Sequence, residues 1–404
     1  MSDASTTATG TLRPFDADNH YYEALDAFTR HLPAGWEQRC IQWADIGGRK
    51  YHVVGGKVSY AVVNATFDPV AKPGVLAEYF RGNPNGDDPI ELLKAREPIH
   101  PCYRDREARI AQLDEHGLDA VWMFPTLGMI YEEQLRHDPE AVAVAFKAFN
   151  RWVLDDWGFN FKDRIFAAPY ISLARIDAAV DELRFALDHG ATTVVMRPAA
   201  TTTAGGMRPP TAPEFDPFWA LANEAGITVV VHAGDSGYSS NGYADDGFTS
   251  NFKGGVPQPI KFTQLERPIE DFLASLVCDQ HFAKFPNLRI ASVENGSGFL
   301  RGLFSKLDAT ANKMAGWFAD HPVDAFKEHI WINPFWEDDI SEVVDLVGAD
   351  RVLFGSDWPH IEGMPEPLDY LRELEGLTSE DVSKIVRGNV VELNSLRPVP
   401  PTPR

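Results

Sequence analysis

The residues able to do chemistry lie at the ends of apolar, strand-like runs. The run RVLFGSDWPH at 351–360 sets the pattern: four residues of a buried, β-prone type, a glycine break, then Asp357. Pro359 ends regular structure there, and His360 follows it. The run FDADNH at 15–20 carries Asp18 and His20 two residues apart, a spacing that puts both side chains on one face of an extended chain. ITVVVHAG at 227–234 carries His232 near its end, and LRIASVENG at 288–296 carries Glu294 and Asn295. Carboxylates and imidazoles without a thiolate suit iron, manganese or zinc in a reactive site better than a structural zinc. Each donor alone has a bland reading. An Asp after a strand can cap a helix, DADN can be a polar turn, and a strand-end His can be core. Five donors at matching ends of separate strands are not explained that way.

Holding such ends together requires a sheet whose strands all point one way. Strand candidates fall at 15–20, 119–124, 165–170, 192–198, 227–234, 288–296, 329–334 and 351–354. Helical patterns at 104–116, 138–156, 176–189, 214–225, 263–284, 298–313 and 338–347 part them, and a last helix covers 379–394. Eight strands parted by helices close most simply into a (β/α)8 barrel, whose C-terminal strand ends share one face. A doubly wound open sheet is the alternative, and no Gly-rich phosphate loop follows the first strand to favour it. Residues 34–105 break the rhythm and read as an insertion, a lid over the site, with a β-hairpin about Gly55 and Gly56. His52 and His100 within it read as surface or structural. The whole chain, 1–404, reads as one domain with a Gly/Ser/Asn-rich loop at 234–258 and a flexible tail at 396–404.

Position also sorts the remaining candidates. His281 ends a helix, so it belongs at the face opposite the site and is rejected as a ligand. His360 is placed near the mouth, where it binds a second metal, orients substrate or caps a loop. Asn295 and Arg197 end strands and are candidates to line the pocket, Arg197 as a substrate contact.

Composition bounds the partners. The chain has 404 residues, 44% hydrophobic and 24% charged, with a net charge of −22. That charge argues against nucleic acid as the main partner. No apolar run reaches the length of a membrane span, and the first residues lack a basic-then-apolar signal pattern. Three widely spaced cysteines, Cys40, Cys102 and Cys278, argue against a disulfide framework, so a cytoplasmic setting is expected. The sequence leaves homo-oligomer formation open.

The D-x-H start, the VVHAG segment, FPNLR before strand six and FGSDWPH together resemble the amidohydrolase-related, decarboxylase-like TIM-barrel family over 13–20 and 105–394. The resemblance implies one divalent metal held by a strand-one pair, a strand-five His and a strand-eight Asp, roles that fall on Asp18, His20, His232 and Asp357. Members usually end strand six in a catalytic His, where this chain has Glu294. In that feature and in the long insertion, the chain is similar to the TIM-barrel nonheme diiron monooxygenases, a group represented in antibiotic biosynthesis. That similarity implies two irons held by Asp18, His20, His232, Glu294 and Asp357, with O2, an electron donor and a bulky, apolar CoA-linked acid as partners. Tyr51, Tyr60 and Phe80 would cover the substrate, and Arg104, Arg106 and Arg109 would meet the CoA phosphates.

The leading expectation is therefore O2-dependent hydroxylation, with Glu294, His360 and Asn295 at the reacting centre. The second is a hydrolase or decarboxylase with a single Zn or Mn and Glu294 as general acid/base. A non-catalytic barrel with a vestigial metal site is the third.

Overall fold

A computed structural model describes residues 12–62, 64–238, 243 and 259–399. Much of the loop expected at 234–258 and the last five residues of the expected tail lie outside the described residues. Seven parallel strands form the wall: Phe15–Tyr21, Ala120–Pro125, Ile165–Ala167, Thr193–Met196, Thr228–His232, Arg289–Val293 and Ile330–Ile332. Their order around the ring is their order in sequence. A bridge between Tyr170 and Val195 joins the third strand to the fourth. At the seam, Ile332 bridges Val352, and the Ala17 N–H donates to the Phe354 carbonyl at 2.9 Å. The result is a closed (β/α)8 TIM barrel. Its strands are buried along their whole length, as parallel strands covered by helices must be.

The expected eighth strand is not a regular one. Ala349–Arg351 is a 3-10 turn, and the segment reaches the neighbouring strands through single bridges and bonds at Val352, Leu353, Phe354, Asp357 and Trp358. On its other side, the first strand changes register against Ala120–Pro125 between Asp16 and Asn19. The helix expected at 263–284 is two, Arg267–Cys278 and His281–Lys284, divided where Gln280 takes a positive φ of 53°. Helices Gly128–Leu135 and Pro322–His329 and the hairpin of Thr201–Thr203 with Gly206–Arg208 were not anticipated; all three are short, and eight residues hold few turns of periodic pattern. Aspartate caps start three of the helices: Asp105, Asp138 and Asp339 each accept from the third residue beyond them.

The insertion between the first two barrel strands is built from local pieces. Ile41–Ile46, Arg49–Val54 and Lys57–Val58 form an antiparallel meander. Val70–Ala71 pairs with Arg96–Glu97, and helices Ala77–Phe80 and Pro89–Leu92 lie between them in sequence. Val62, Phe67, Val70, Leu76 and Phe80 from this segment line the same cavity as Asp18 and His20, so the insertion roofs the C-terminal face.

Candidate active site

The first strand delivers Asp18 and His20 into the barrel mouth and is held there from three sides. Asp16 accepts from Ser356 Oγ at 2.6 Å, Ser356 N at 3.0 Å and its own neighbour Asp18 N at 3.1 Å. The Asp357 N–H donates to the Asp18 carbonyl at 2.8 Å. Arg109, fully buried, donates from Nη2 to the His20 carbonyl at 2.8 Å, from Nε to the Cys102 carbonyl at 2.7 Å, and to Asn19 Oδ1. Gly355 is required where the eighth segment passes strand one: a Cβ there would lie 2.5 Å from Asp18 Cβ and 2.6 Å from Asn333 Nδ2.

Two carboxylate donors sit on strained backbone. Glu294 and Asp357 have φ of 56° and 53°, in the left-handed region that disfavours a Cβ by about 1–2 kcal/mol. Glu294 directly follows the strand Arg289–Val293, and Asp357 lies three residues past Phe354. Such strain is retained where surrounding structure over-determines it, and here Asn333 Oδ1 takes the Glu294 N–H at 3.3 Å.

The donor atoms crowd around one point. His232 Nε2 lies 3.2 Å from His20 Nε2 and 3.3 Å from both Asp18 Oδ1 and Glu294 Oε2. His20 Nε2 lies 3.4 Å from Asp18 Oδ1, Glu294 Oε2 and Asp357 Oδ1 alike. Ligands about 2.1 Å from a common ion stand roughly 3.0 Å apart in an octahedron and 3.4 Å apart in a tetrahedron. The observed edges match that range. The His232 Nδ1 lies 2.8 Å from the Ala233 carbonyl, which keeps the ring proton on Nδ1 and leaves Nε2 an acceptor. His360 Nδ1 lies 2.7 Å from Asp357 Oδ1, yet neither atom finds a hydrogen bond of acceptable geometry, and His20 Nδ1 is also an orphan. Asp357 Oδ1 and His360 Nδ1, buried without partners and facing each other, fit a site for a divalent cation. Two overlapping sets share this geometry: Asp18, His20, His232 and Glu294, and His20, Glu294, Asp357 and His360.

Electrostatics of the metal-free protein carry the same stamp. Burial works to raise Asp18, but His20 and His232 hold it below the usual carboxylate range. Burial opposes a charge on His20, yet Asp18 and Glu294 push it up to about 9. Asp357 is raised well above its ordinary value by burial and then by the charges of Glu294 and Glu362. His360 is driven well below the ordinary range by burial and by His20 and His232.

The cavity above these atoms has a volume of about 530 Å³. Its wall is mainly aliphatic and aromatic, with Met129, Ile130, Phe335 and Trp336 facing the insertion residues. Phe80 lines it as expected. Tyr51 and Tyr60 do not; they pack edge to face on each other. Asn295 lines the wall, but its Nδ2 donates to the Val231 and Val293 carbonyls and braces the barrel. Arg197 does not reach the cavity surface, because its Nη1 is engaged by Glu133 Oε2 and the Asp235 carbonyl, both at 2.6 Å. The expected basic cluster also dissolves. Arg109 is core, Arg104 bonds the Tyr22 and Thr66 carbonyls, and Arg106 lies over Phe161. His281 packs on Trp219 and Phe285, away from the donors, and His52 is buried against Tyr131.

Several residues escaped the sequence reading. Glu362, which lines the cavity, is pushed up to about 7 by burial and by Glu294, and Glu337 is likewise raised to about 7 by burial. Arg96 and Lys261 bring positive charge to the wall. None ends a strand, so position gave no signal. Asp16 did have one, because it shares the DADNH run with both strand-one donors.

Comparison with known proteins follows the same lines. The profile of the amidohydrolase family matches residues 99–393. A crystal structure of an amidohydrolase from Mycobacterium avium subsp. paratuberculosis K-10 is 40% identical, covering 96% of this chain and 99% of its own, with a TM-score of 0.89. The 5-carboxyvanillate decarboxylase of Sphingomonas paucimobilis is 14% identical, with a TM-score of 0.57 over 96% of this chain and 100% of its own. A 2,6-dihydroxybenzoate decarboxylase from Rhizobium is 18% identical, with a TM-score of 0.56 over 78% of this chain and 94% of its own. These two share the fold. No curated protein matches the chain in sequence. The similar proteins are amidohydrolases and decarboxylases, and this overturns the expectation of an O2-dependent diiron monooxygenase of antibiotic biosynthesis.

Proposed function

The chain belongs to the amidohydrolase family, and we propose that it is a single-metal enzyme acting at the carboxyl-type carbon of a bulky, largely apolar substrate, by hydrolysis or decarboxylation. The observation that carries this reading is the set of donor separations, 3.2 to 3.4 Å among His20, His232, Asp18 and Glu294, which suits one ion. Two-metal sites spread their donors around ions about 3.5–4 Å apart. Asp18, His20, His232 and Glu294 would hold the ion, with Asp357 beside them. Manganese is favoured over iron, since related decarboxylases of the same fold carry it. Bound there, the ion would supply Lewis-acid polarisation of a carbonyl or carboxylate oxygen.

The chain's own residues do the rest. Thr126 Oγ1 lies 2.9 Å from His360 Nε2 and sets that ring so that Nδ1 faces Asp357 Oδ1. The pair can hold or release a proton at Asp357, beside the reacting carbon. Phe67, Leu76 and Phe80 of the insertion, with Trp336, bind the substrate body and keep water from it. Aromatic carboxylic acids, the substrates in the names of two neighbours, have the size and chemistry for such a wall.

The test is turnover by protein loaded with Mn or Zn, measured for CO2 release from aromatic acids and for cleavage of the matching anilides and esters. One of the two should proceed, independently of O2, and be lost on chelation and in His232→Ala. Undiminished turnover by metal-stripped protein or by His232→Ala would reject the reading.

A further inference from the structure

Among the described residues, Arg96 and Lys261 are cations on the cavity wall outside the metal site. Arg96 lies on the insertion, in the two-residue ladder where it pairs with Ala71, and both residues line the cavity. It is half-buried, and among the described residues nothing pairs with its guanidinium. Its neighbour Glu97 does not neutralise it, because that carboxylate accepts from the Tyr103 hydroxyl at 3.3 Å. None of Asp18, Glu294 and Asp357 forms an ion pair with it, so its charge is not part of the donor cluster. Its neighbours along the insertion's wall are apolar, Leu76, Ile90 and Leu93 among them. A guanidinium on a largely apolar wall with no protein partner is free to take an incoming anion, and a charge-assisted pair there gains from the apolar surroundings.

We propose that Arg96 anchors a second anionic group of the substrate, a carboxylate, separate from the group presented to the metal donors. This rests on the single-metal reading of the site and narrows its substrate class: an apolar body carrying two acidic ends. The fork of the guanidinium suits bidentate recognition of a carboxylate, which lysine would give only as a point charge. The insertion would then set specificity as well as cover the site.

The experiment is calorimetric titration of the manganese-loaded protein with matched probes: benzoate against terephthalate, and biphenyl-4-carboxylate against biphenyl-4,4′-dicarboxylate. At least one dicarboxylate should bind more tightly than its monocarboxylate. Arg96→Gln should remove that advantage, by about tenfold to a hundredfold, and leave monocarboxylate binding unchanged. Arg96→Lys should recover part of it. Thermal melting checks that both variants remain folded. Equal binding of mono- and dicarboxylates by wild type, or an undiminished advantage in Arg96→Gln, overturns the proposal. Repeating the titration on metal-stripped protein separates the two readings. If the Arg96-dependent advantage persists there and monocarboxylate affinity is indifferent to metal, the single-metal reading fails and the Arg96 subsite stands.

Discussion

Gly355→Ala probes how the site is held together. The added Cβ would stand 2.5 Å from Asp18 Cβ, 2.6 Å from Asn333 Nδ2 and 2.9 Å from Asn333 Cγ. Carbon atoms in contact prefer about 3.5–4.0 Å, so the two segments must part by about 1 Å. Neither yields easily. Strand one is tied to the eighth segment by Ala17 N to Phe354 O and by Asp357 N to Asp18 O, at 2.9 and 2.8 Å. Asn333 is tied through its own Nδ2 to the Leu353 carbonyl at 3.3 Å. Overpacking of this kind destabilises by about 1–3 kcal/mol. It also pushes Asp18 off the point shared with His20 and His232, and displaced support of a metal ligand weakens binding by roughly 10–100-fold. Urea melts of the metal-free protein read the first effect, and Mn titration reads the second. Gly302→Ala is the control, since it lies in helix Leu300–Lys313 with open space where its Cβ would go, and should gain up to about 1 kcal/mol. If Gly355→Ala melts like wild type and binds metal equally well, the strand-one contact does not position Asp18, and the account of the site is wrong.

Two further outcomes follow from buried charges. Arg109→Met leaves the His20 and Cys102 carbonyls without donors and should cost about 2–4 kcal/mol in urea melts, with metal affinity also reduced; a loss under about 0.5 kcal/mol would contradict its role as an anchor. Glu23 is pushed up from 4.5 to about 7, chiefly by burial, against the pull of the Gly128 and Leu127 N–H groups. Between those values the folded state holds a proton the unfolded state has lost, so this group makes stability fall as pH rises from about 4.5 to 7. Glu23→Gln should flatten that slope in melts at pH 5 and 7.5, and an unchanged slope would show the group titrates normally.

The fold was legible because the barrel repeats one simple pattern. Runs such as VVVH and RIASV are buried on both faces, as a strand covered on two sides must be, and each is followed by a helical pattern. The strand-end rule also indicated which side chains converge: the structure brings Asp18, His20, His232 and Glu294 within mutual reach, and Asp357 within reach of His20 and Glu294. What it could not indicate were contacts made by the insertion. Arg96 and Phe67 reach the cavity through turns and two-residue ladders that carry no periodic signal. Nor could it distinguish a basic cluster from a buried anchor: Arg104, Arg106 and Arg109 lie close in sequence but end in three different environments. Arg197 failed for a related reason. It follows a strand, but Glu133 of a helix that gave no pattern captures it first.

The expectation of two irons rested on charge: three carboxylates around one divalent ion leave a surplus in a poorly solvated site. The argument counted charges before knowing which groups would be ionised. In the metal-free protein, burial and the charges of Glu294, Glu362 and Asp18 raise Asp357 well above the ordinary carboxyl value. Glu362 is shifted up to about 7 by burial and then by Glu294. A proton on such a group removes a negative charge as effectively as a fraction of a second cation would, and it needs no further ligands. In the single-metal enzyme proposed above, Asp18 and Glu294 with two imidazoles would balance one divalent ion in number and charge. A protonated carboxyl beside them would then serve a hydrolase or decarboxylase as a place to keep a proton.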